Sequence, residues 1–405
     1  MGQRPEHTSI ELVARCIGDP VLRLRFLQAV APPPASAGSS PSRPWSKAIH
    51  CLLVAIVPVT SIAAILVVRA AAHAPALLQS RPAVTVHRAP AEFAAAEVWM
   101  VEKGPAEEVF SNGLHIDNRF AVTNHPRAYL AFPVSNPAAA AELRNSAPAG
   151  IVFHTTESLQ IPFESARNSD LKRVGQSLLE YVAMRCAYHY VIDRFGRVFR
   201  VVAEQDAANH AGYSVWADDR WLYINLNESF LGVSFEASTR GGGSGTPLTL
   251  AQVSSAALLT ELLRARYRIS AANCVTHMQV SVNPDNMRVA YHTDWASSFP
   301  FQQVGLPDNY LLPLPSLASF GFVSDASARK AAGPRLLETI ERAEVDFEQR
   351  AAATGMDLVD FRRLAQGRYR ALLARVKAAQ HSTAPGIDSD SGPAETPAGA
   401  DASRL

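Results

Sequence analysis

Two segments far apart in the chain, 151–156 and 275–295, carry side chains that are useful together and of little use alone. The first reads Ile-Val-Phe-His-Thr-Thr, an apolar run that ends at His154. The second holds His277 and then His292-Thr293-Asp294-Trp295. A catalytic zinc takes three protein ligands from His, Asp, Glu or Cys and keeps a fourth position for water. His154 and His277 supply two such ligands. Asp294, His292 and Asp285 are each acceptable as the third. A fold that uses them must bring the end of a buried strand beside residues more distant in sequence. A histidine closing a single apolar strand is otherwise an ordinary hydrogen-bonded core residue.

The chain has 405 residues, enough for two or three domains. Its formal charge is +1, so no global field favours nucleic acid as a partner. The four cysteines, Cys16, Cys51, Cys186 and Cys274, include no CxxC pair and make neither a disulfide scaffold nor a zinc ribbon. Isolated cysteines are commonly small buried groups. A Cys186–Cys274 disulfide is the alternative that an oxidising compartment would allow.

Residues 48–68 carry no acidic or basic side chain apart from His50, which matches the length a bilayer-spanning helix needs. Arg4, Arg15, Arg23, Arg25, Arg43 and Lys47 precede it, and the positive-inside rule places that end in the cytoplasm. The expectation is a cytoplasmic tail over 1–47, a single-pass inner-membrane anchor over 48–68 and an Ala/Pro-rich linker over 69–96, with the remainder periplasmic or otherwise extracytoplasmic. A cleaved signal peptide and a buried core helix are the alternatives. The tail before the apolar run is long for a signal peptide.

Short β-type runs over 98–132 predict strands, and 135–149 reads as a loop. The centre then alternates types: a strand at 150–154, a helix at 171–184, a hairpin over 188–202, a strand at 230–236, a Gly/Ser loop at 241–246 and a helix at 250–267 with Thr249 as its N-cap. This pattern predicts an α/β fold, a central mixed β-sheet flanked by helices, over 97–310 with its core at 150–300. Helical periodicity over 335–351 and 358–379 predicts a helical extension, 311–380, that docks a protein partner or shields the cleft. Residues 381–405 are too poor in large apolar side chains to pack and are expected to be disordered.

Several motifs fall in one order. They are Ile151-Val152-Phe153-His154-Thr155, Tyr188-His189-Tyr190-Val191-Ile192-Asp193-Arg194-Phe195-Gly196, His210-Ala211-Gly212, the run from Asn227 to Glu236, Thr249-Leu250-Ala251-Gln252, Thr276-His277 and Thr293-Asp294. In that order they resemble the zinc-dependent N-acetylmuramoyl-L-alanine amidases of the type 2 family, relatives of the peptidoglycan recognition proteins. The resemblance covers roughly 150–299. It implies Zn²⁺ held by His154, His277 and Asp294. The implied reaction is hydrolysis of the amide between N-acetylmuramic acid and the L-alanine of the stem peptide. It implies Tyr188 as a donor to the developing oxyanion. His210 and Thr155 read as contacts to peptidoglycan or muropeptide, with a turn cap as the alternative for His210.

The match departs from the family at the acid of the 230–236 strand, where Ser234 stands. A serine does not take a proton at neutral pH as a carboxylate does. Glu236, two residues on and on the same strand face, is the candidate to replace it. His292 is the other, because imidazole titrates near neutrality. His189 points away from Tyr188 and reads as a supporting residue. Trp216, Trp221 and Tyr223 read as core aromatics, with a sugar-stacking wall as the alternative. A thiol mechanism at Cys186 lacks an orienting third group. The alternative function is a domain of this fold that binds peptidoglycan or muropeptide without cutting it.

Overall fold

Fully buried parallel strands have no polar face, so they read as unbroken apolar runs. The runs at 150–155 and 230–235 are of this kind, and both are buried along their whole length in the computed structural model of the protein. The structure describes residues 97–145, 147–239 and 248–383. The span 48–68, its flanking tail and linker, and the tail beyond 383 lie outside the described residues. Among the described residues no helix is long and apolar enough to cross a membrane.

The chain opens with β1 (Met100–Lys103), β2 (Glu107–Phe110), β3 (His115–Asp117), β4 (Ala128–Pro133) and β5 (Glu142–Asn145). Next come β6 (Gly150–Thr155), helix α1 (Asn168–Met184), β7 (Tyr190–Ile192) and β8 (Val198–Arg200). They are followed by β9 (Val215–Ala217), β10 (Trp221–Ile224), the short α2 (Leu226–Ser229), β11 (Phe230–Phe235) and α3 (Leu250–Tyr267). After β12 (Cys274–Thr276) stand α4 (His277–Val280), β13 (Val282–Asn283) and β14 (Arg288–Val289). Four more helices close the described chain: α5 (Pro315–Phe320), α6 (Ala326–Ala331), α7 (Pro334–Ala353) and α8 (Leu358–Thr383).

The main sheet has eight strands in the order β1-β2-β3-β8-β7-β11-β6-β12. It is mixed: β7, β11, β6 and β12 run parallel, while β1, β2 and β3 form an antiparallel meander. Alternate residues of β7 show that helices cover both faces. Val191 packs with Leu179 and Val182 of α1, whereas Tyr190 and Ile192 join the core that holds Leu259, Leu262 and Leu263 of α3. Helix α3 starts where Thr249 predicts. The Thr249 hydroxyl accepts from the Gln252 N–H, and the Gln252 side chain accepts from the Thr249 N–H, a reciprocal cap. The Gln252 amide also donates to the carbonyls of Ile192 and Glu236, pinning the helix to the strand ends.

The stretch 135–149, expected as a loop, contains β5. It pairs with β4 in a second, antiparallel sheet, β5-β4-β10-β9. Leu143 is more than half exposed, so the strand lacks the buried apolar face that would mark it in sequence. Trp216 and Tyr223 are core residues of this sheet, with the Trp216 indole donating to Asn273. Cys186 and Cys274 are free thiols.

The C-terminal helices pack into the same core. Leu336, Ile340, Ala343 and Phe347 line the buried stripe of α7, and the Thr339 hydroxyl donates to the Tyr310 carbonyl. On α8 the buried stripe is Ala365, Tyr369, Leu372 and Val376. Tyr369 meets Phe320 and Phe322 edge-on and its hydroxyl donates to the Tyr213 carbonyl. Arg375 lies over the Phe132 ring of β4 and donates to the Pro137 and Ala139 carbonyls. The buried stripes of both helices are therefore covered by this chain, while Val345, Val359 and Leu364 stay exposed. Tyr369→Ala is expected to lower folding stability by about 3–5 kcal/mol, as loss of a buried aromatic ring does. Chemical denaturation measures it, and a loss below about 1 kcal/mol would show α8 to be a detachable element.

Candidate metal centre

Strand register builds the centre. In the β6–β12 pair Cys274 lies beside Ile151 and Thr276 beside Phe153. Continuing that step sets His277, the first residue of α4, next to His154, the penultimate residue of β6. Their ring centroids are 4.4 Å apart. Asp294 arrives from the stretch after β14. Trp295 behind it takes a left-handed backbone (φ 57°) and buries its indole against Phe235 and Phe299. The Met278 N–H donates to the Asp294 carbonyl. Asp294 is thus fixed from both sides.

One donor atom from each of His154, His277 and Asp294 lies within 4.8 Å of the others, and all three residues are buried. His277 Nδ1 is 2.8 Å from Asp294 Oδ1, and His154 Nδ1 is 3.3 Å from Asp294 Oδ2. The Thr155 N–H donates to Oδ2 at 3.4 Å. Burial by itself would push the Asp294 carboxyl up, but the neighbouring His277 imidazole, the largest opposing influence, holds it well below the usual carboxylate range. Burial, and then the neighbouring His277, push His154 down to about 4. At neutral pH the site therefore presents an ionised carboxylate and a neutral imidazole with a lone pair to give.

These residues suit zinc on an independent observation. His277 Nε2 is buried and has no hydrogen-bond partner among the described residues. Leaving such a group unpaired costs about 1–3 kcal/mol, which an ion bound there would relieve. Two imidazoles and a carboxylate are also a ligand set that zinc takes in hydrolytic sites.

The other sequence candidates fall at varied distances from this group. Asp285 is exposed in the turn between β13 and β14. His292 is exposed and stacks on the His277 ring at 4.7 Å, with 20° between planes. Tyr188 sits 5.2 Å from the His154 ring, with a left-handed backbone (φ 59°) and its phenol beside the Ser234 hydroxyl. Burial, helped by the Asp294 charge, raises the phenol further, so it stays protonated.

Glu236 shares the strand face of Ser234, but Oε2 accepts the Arg194 N–H at 3.2 Å and the carboxylate lies against Gly175 of α1. Burial raises it to about 6. The Thr155 hydroxyl donates to Glu157 at 2.6 Å. Both ring nitrogens of His210 are engaged inside the protein, Nδ1 with His154 Nε2 at 3.1 Å and Nε2 with the Phe230 carbonyl at 3.2 Å. His189 Nδ1 accepts the Gly232 N–H at 2.9 Å, a supporting contact at β11.

Glu157 escaped the sequence reading. It accepts from the hydroxyls of Thr155, Ser238 and Thr239 and from the Thr239 N–H, which clasps the ends of β6 and β11 together. Burial works against its ionised form, but those hydroxyls, Ser238 first, bring its pKa below the ordinary value. A lone acid in a loop has no periodicity to mark it; its left-handed φ of 47° is visible only in the fold.

Residues 144–295 match the family model described as N-acetylmuramoyl-L-alanine amidase. No curated protein matches the chain. Among solved structures, the chain is similar to the amidase AmiD from E. coli, determined with the substrate anhydro-N-acetylmuramic acid-L-Ala-D-gamma-Glu-L-Lys. The identity is 20%, over 68% of this chain and 97% of that one, with a TM-score of 0.33. It is also similar to the amidase LysC from Clostridium intestinale, at 21% identity over 39% of this chain and 82% of that one, with a TM-score of 0.25. At those scores the solved structures add nothing to the family match. The match spans His154, His277 and Asp294 together with the strands that carry them, and residues 144–295 are accordingly a domain of the N-acetylmuramoyl-L-alanine amidase family.

Proposed function

We propose that the protein is a zinc-dependent hydrolase that cleaves the amide between N-acetylmuramic acid and the L-alanine of the peptidoglycan stem peptide. The convergence of His154, His277 and Asp294 within 4.8 Å, inside the amidase segment, carries this reading. These three residues would hold the ion. When bound, zinc supplies Lewis acidity toward the amide carbonyl and toward water. The remaining work belongs to the chain. The protonated Tyr188 phenol, beside His154, donates to the carbonyl oxygen as negative charge develops on it. Ser234 offers no base. His292, on the exposed side of His277, is the proton carrier in this reading, because the Glu236 carboxylate is already engaged by Arg194. The apolar span 48–68 supports a single-pass anchor with the amidase segment on the extracytoplasmic side, where peptidoglycan lies.

Ser234 and the engaged Glu236 favour a second reading, a domain that binds peptidoglycan without hydrolysing it. Metal content and muropeptide release, each with and without chelator, separate the two. On the amidase reading His277→Ala loses its zinc and hydrolysis falls about a thousand-fold or more, the several kcal/mol a metal contributes. Full hydrolysis by that variant would exclude the site. Zinc-loaded wild type that releases no muropeptide would leave the binding reading.

Glu236 yields a pH prediction. Its folded-state pKa, about 6, lies above the ordinary 4.5, so burial favours the protonated form. Its stabilising contribution is complete below about pH 4.5 and is lost as pH rises through about 6, roughly 2 kcal/mol in all. Glu236→Gln cannot ionise. Denaturation should find it as stable as wild type at pH 4.5 and more stable by about 2 kcal/mol at pH 7.5. Hydrolysis at pH 7.5 should be unchanged; slowed turnover with zinc retained would return the proton-carrying role to Glu236.

A further inference from the structure

We infer that His210 is a positioning residue that decides which nitrogen of His154 faces the ion. The inference rests on the metal-centre reading above and follows from counting protons along a buried chain. His210 Nε2 lies 3.2 Å from the Phe230 carbonyl, which only accepts, so Nε2 carries the hydrogen. In a neutral ring Nδ1 is then bare. The atom facing it at 3.1 Å is His154 Nε2, which must be the donor. In a neutral His154 ring Nδ1 then carries no hydrogen, and it is the nitrogen that faces Asp294 Oδ2 at 3.3 Å. A bare nitrogen opposite a carboxylate oxygen is a contact of two acceptors. A cation between them satisfies both.

The sequence motifs around His210 explain how the ring is held. The Asn227 side-chain oxygen accepts the N–H groups of His210, Ala211 and Gly212 at 2.8, 2.7 and 2.8 Å, so one amide fixes the whole loop. Gly232 of β11 provides the space. A Cβ there would stand 2.6 Å from His210 Cγ, closer than any side chain tolerates. The Asn-anchored loop and the strand glycine together place the ring behind His154. A ligand histidine oriented through its second nitrogen gains basicity and loses rotational freedom, and removing the orienting partner typically weakens metal binding about 10–100-fold.

Two measurements on the full chain test this. In metal-free wild type, long-range ¹⁵N correlation should find His154 protonated at Nε2 and bare at Nδ1. The opposite tautomer would overturn the inference, whether or not any variant folds. Zinc competition against a chromophoric chelator should show affinity about 10–100-fold weaker in His210→Phe, which keeps a ring but has no nitrogen. His210→Gln, with an amide oxygen able to accept from His154, should recover most of it. Wild-type affinity in a folded His210→Phe would also overturn the inference. Wild type that takes up no zinc defeats the metal-centre reading instead, and the tautomer of the metal-free protein still decides the role of His210.

Discussion

The centre depends on the parallel pairing of β6 with β12. A pleated strand alternates its side chains, so sliding this pair by one residue would turn either His154 or the approach to His277 to the opposite face. Both strands are buried throughout, with Ile151, Val152, Phe153 and Val275 in the core. The placement of His154 beside His277 thus follows from the packing and pairing of the strands that lead to them. Asp294 is fixed by the buried indole of Trp295 together with its own contacts to Met278, His277 and Thr155.

Burying ionisable groups at one point demands compensation, and its pattern is informative. Asp294 remains charged because the His277 imidazole and the Thr155 N–H face it. His154 is pushed toward neutrality by burial and by His277, which leaves a lone pair instead of a proton. A purely structural cluster would close its hydrogen bonds among its own members. Here His277 Nε2 remains open among the described residues.

Much of this was legible in the sequence, for identifiable reasons. Strands β6 and β11 are long buried runs, and the cap Thr249 with Gln252 marks the start of α3. His154 and His277 stand out because a polar side chain closes an apolar strand. The third member was not decidable from spacing, since the β13–β14 hairpin carries Asp285 out to solvent while Trp295 draws Asp294 inward. His210 was recognised as a site residue, but its ring direction depends on Asn227 and Gly232, and no pattern in a single chain reveals that pairing. The apolar stripes of α7 and α8 were clear, whereas what covers them was not. Their cover is α5, the turn at Asn309–Leu311 and the second sheet, which contains a strand too exposed to recognise.

One face of β11 draws these observations together. Gly232, Ser234 and Glu236 alternate onto it, and each sets a different property of the site. Gly232 admits the His210 ring. Ser234 lies beside the Tyr188 phenol and, through the register Ser234–His154, directly alongside the strand that carries His154. Glu236 stands one step further, under α1, where burial and the Arg194 N–H hold it. A carboxylate at 234 would have added a second negative charge next to Asp294; with serine there, the ionised acid of the triad stands without one on that strand. On the proposed amidase reading, β11 therefore shapes the centre as much by what it leaves out at this position as His154, His277 and Asp294 do by their presence, because a serine hydroxyl is no base at neutral pH.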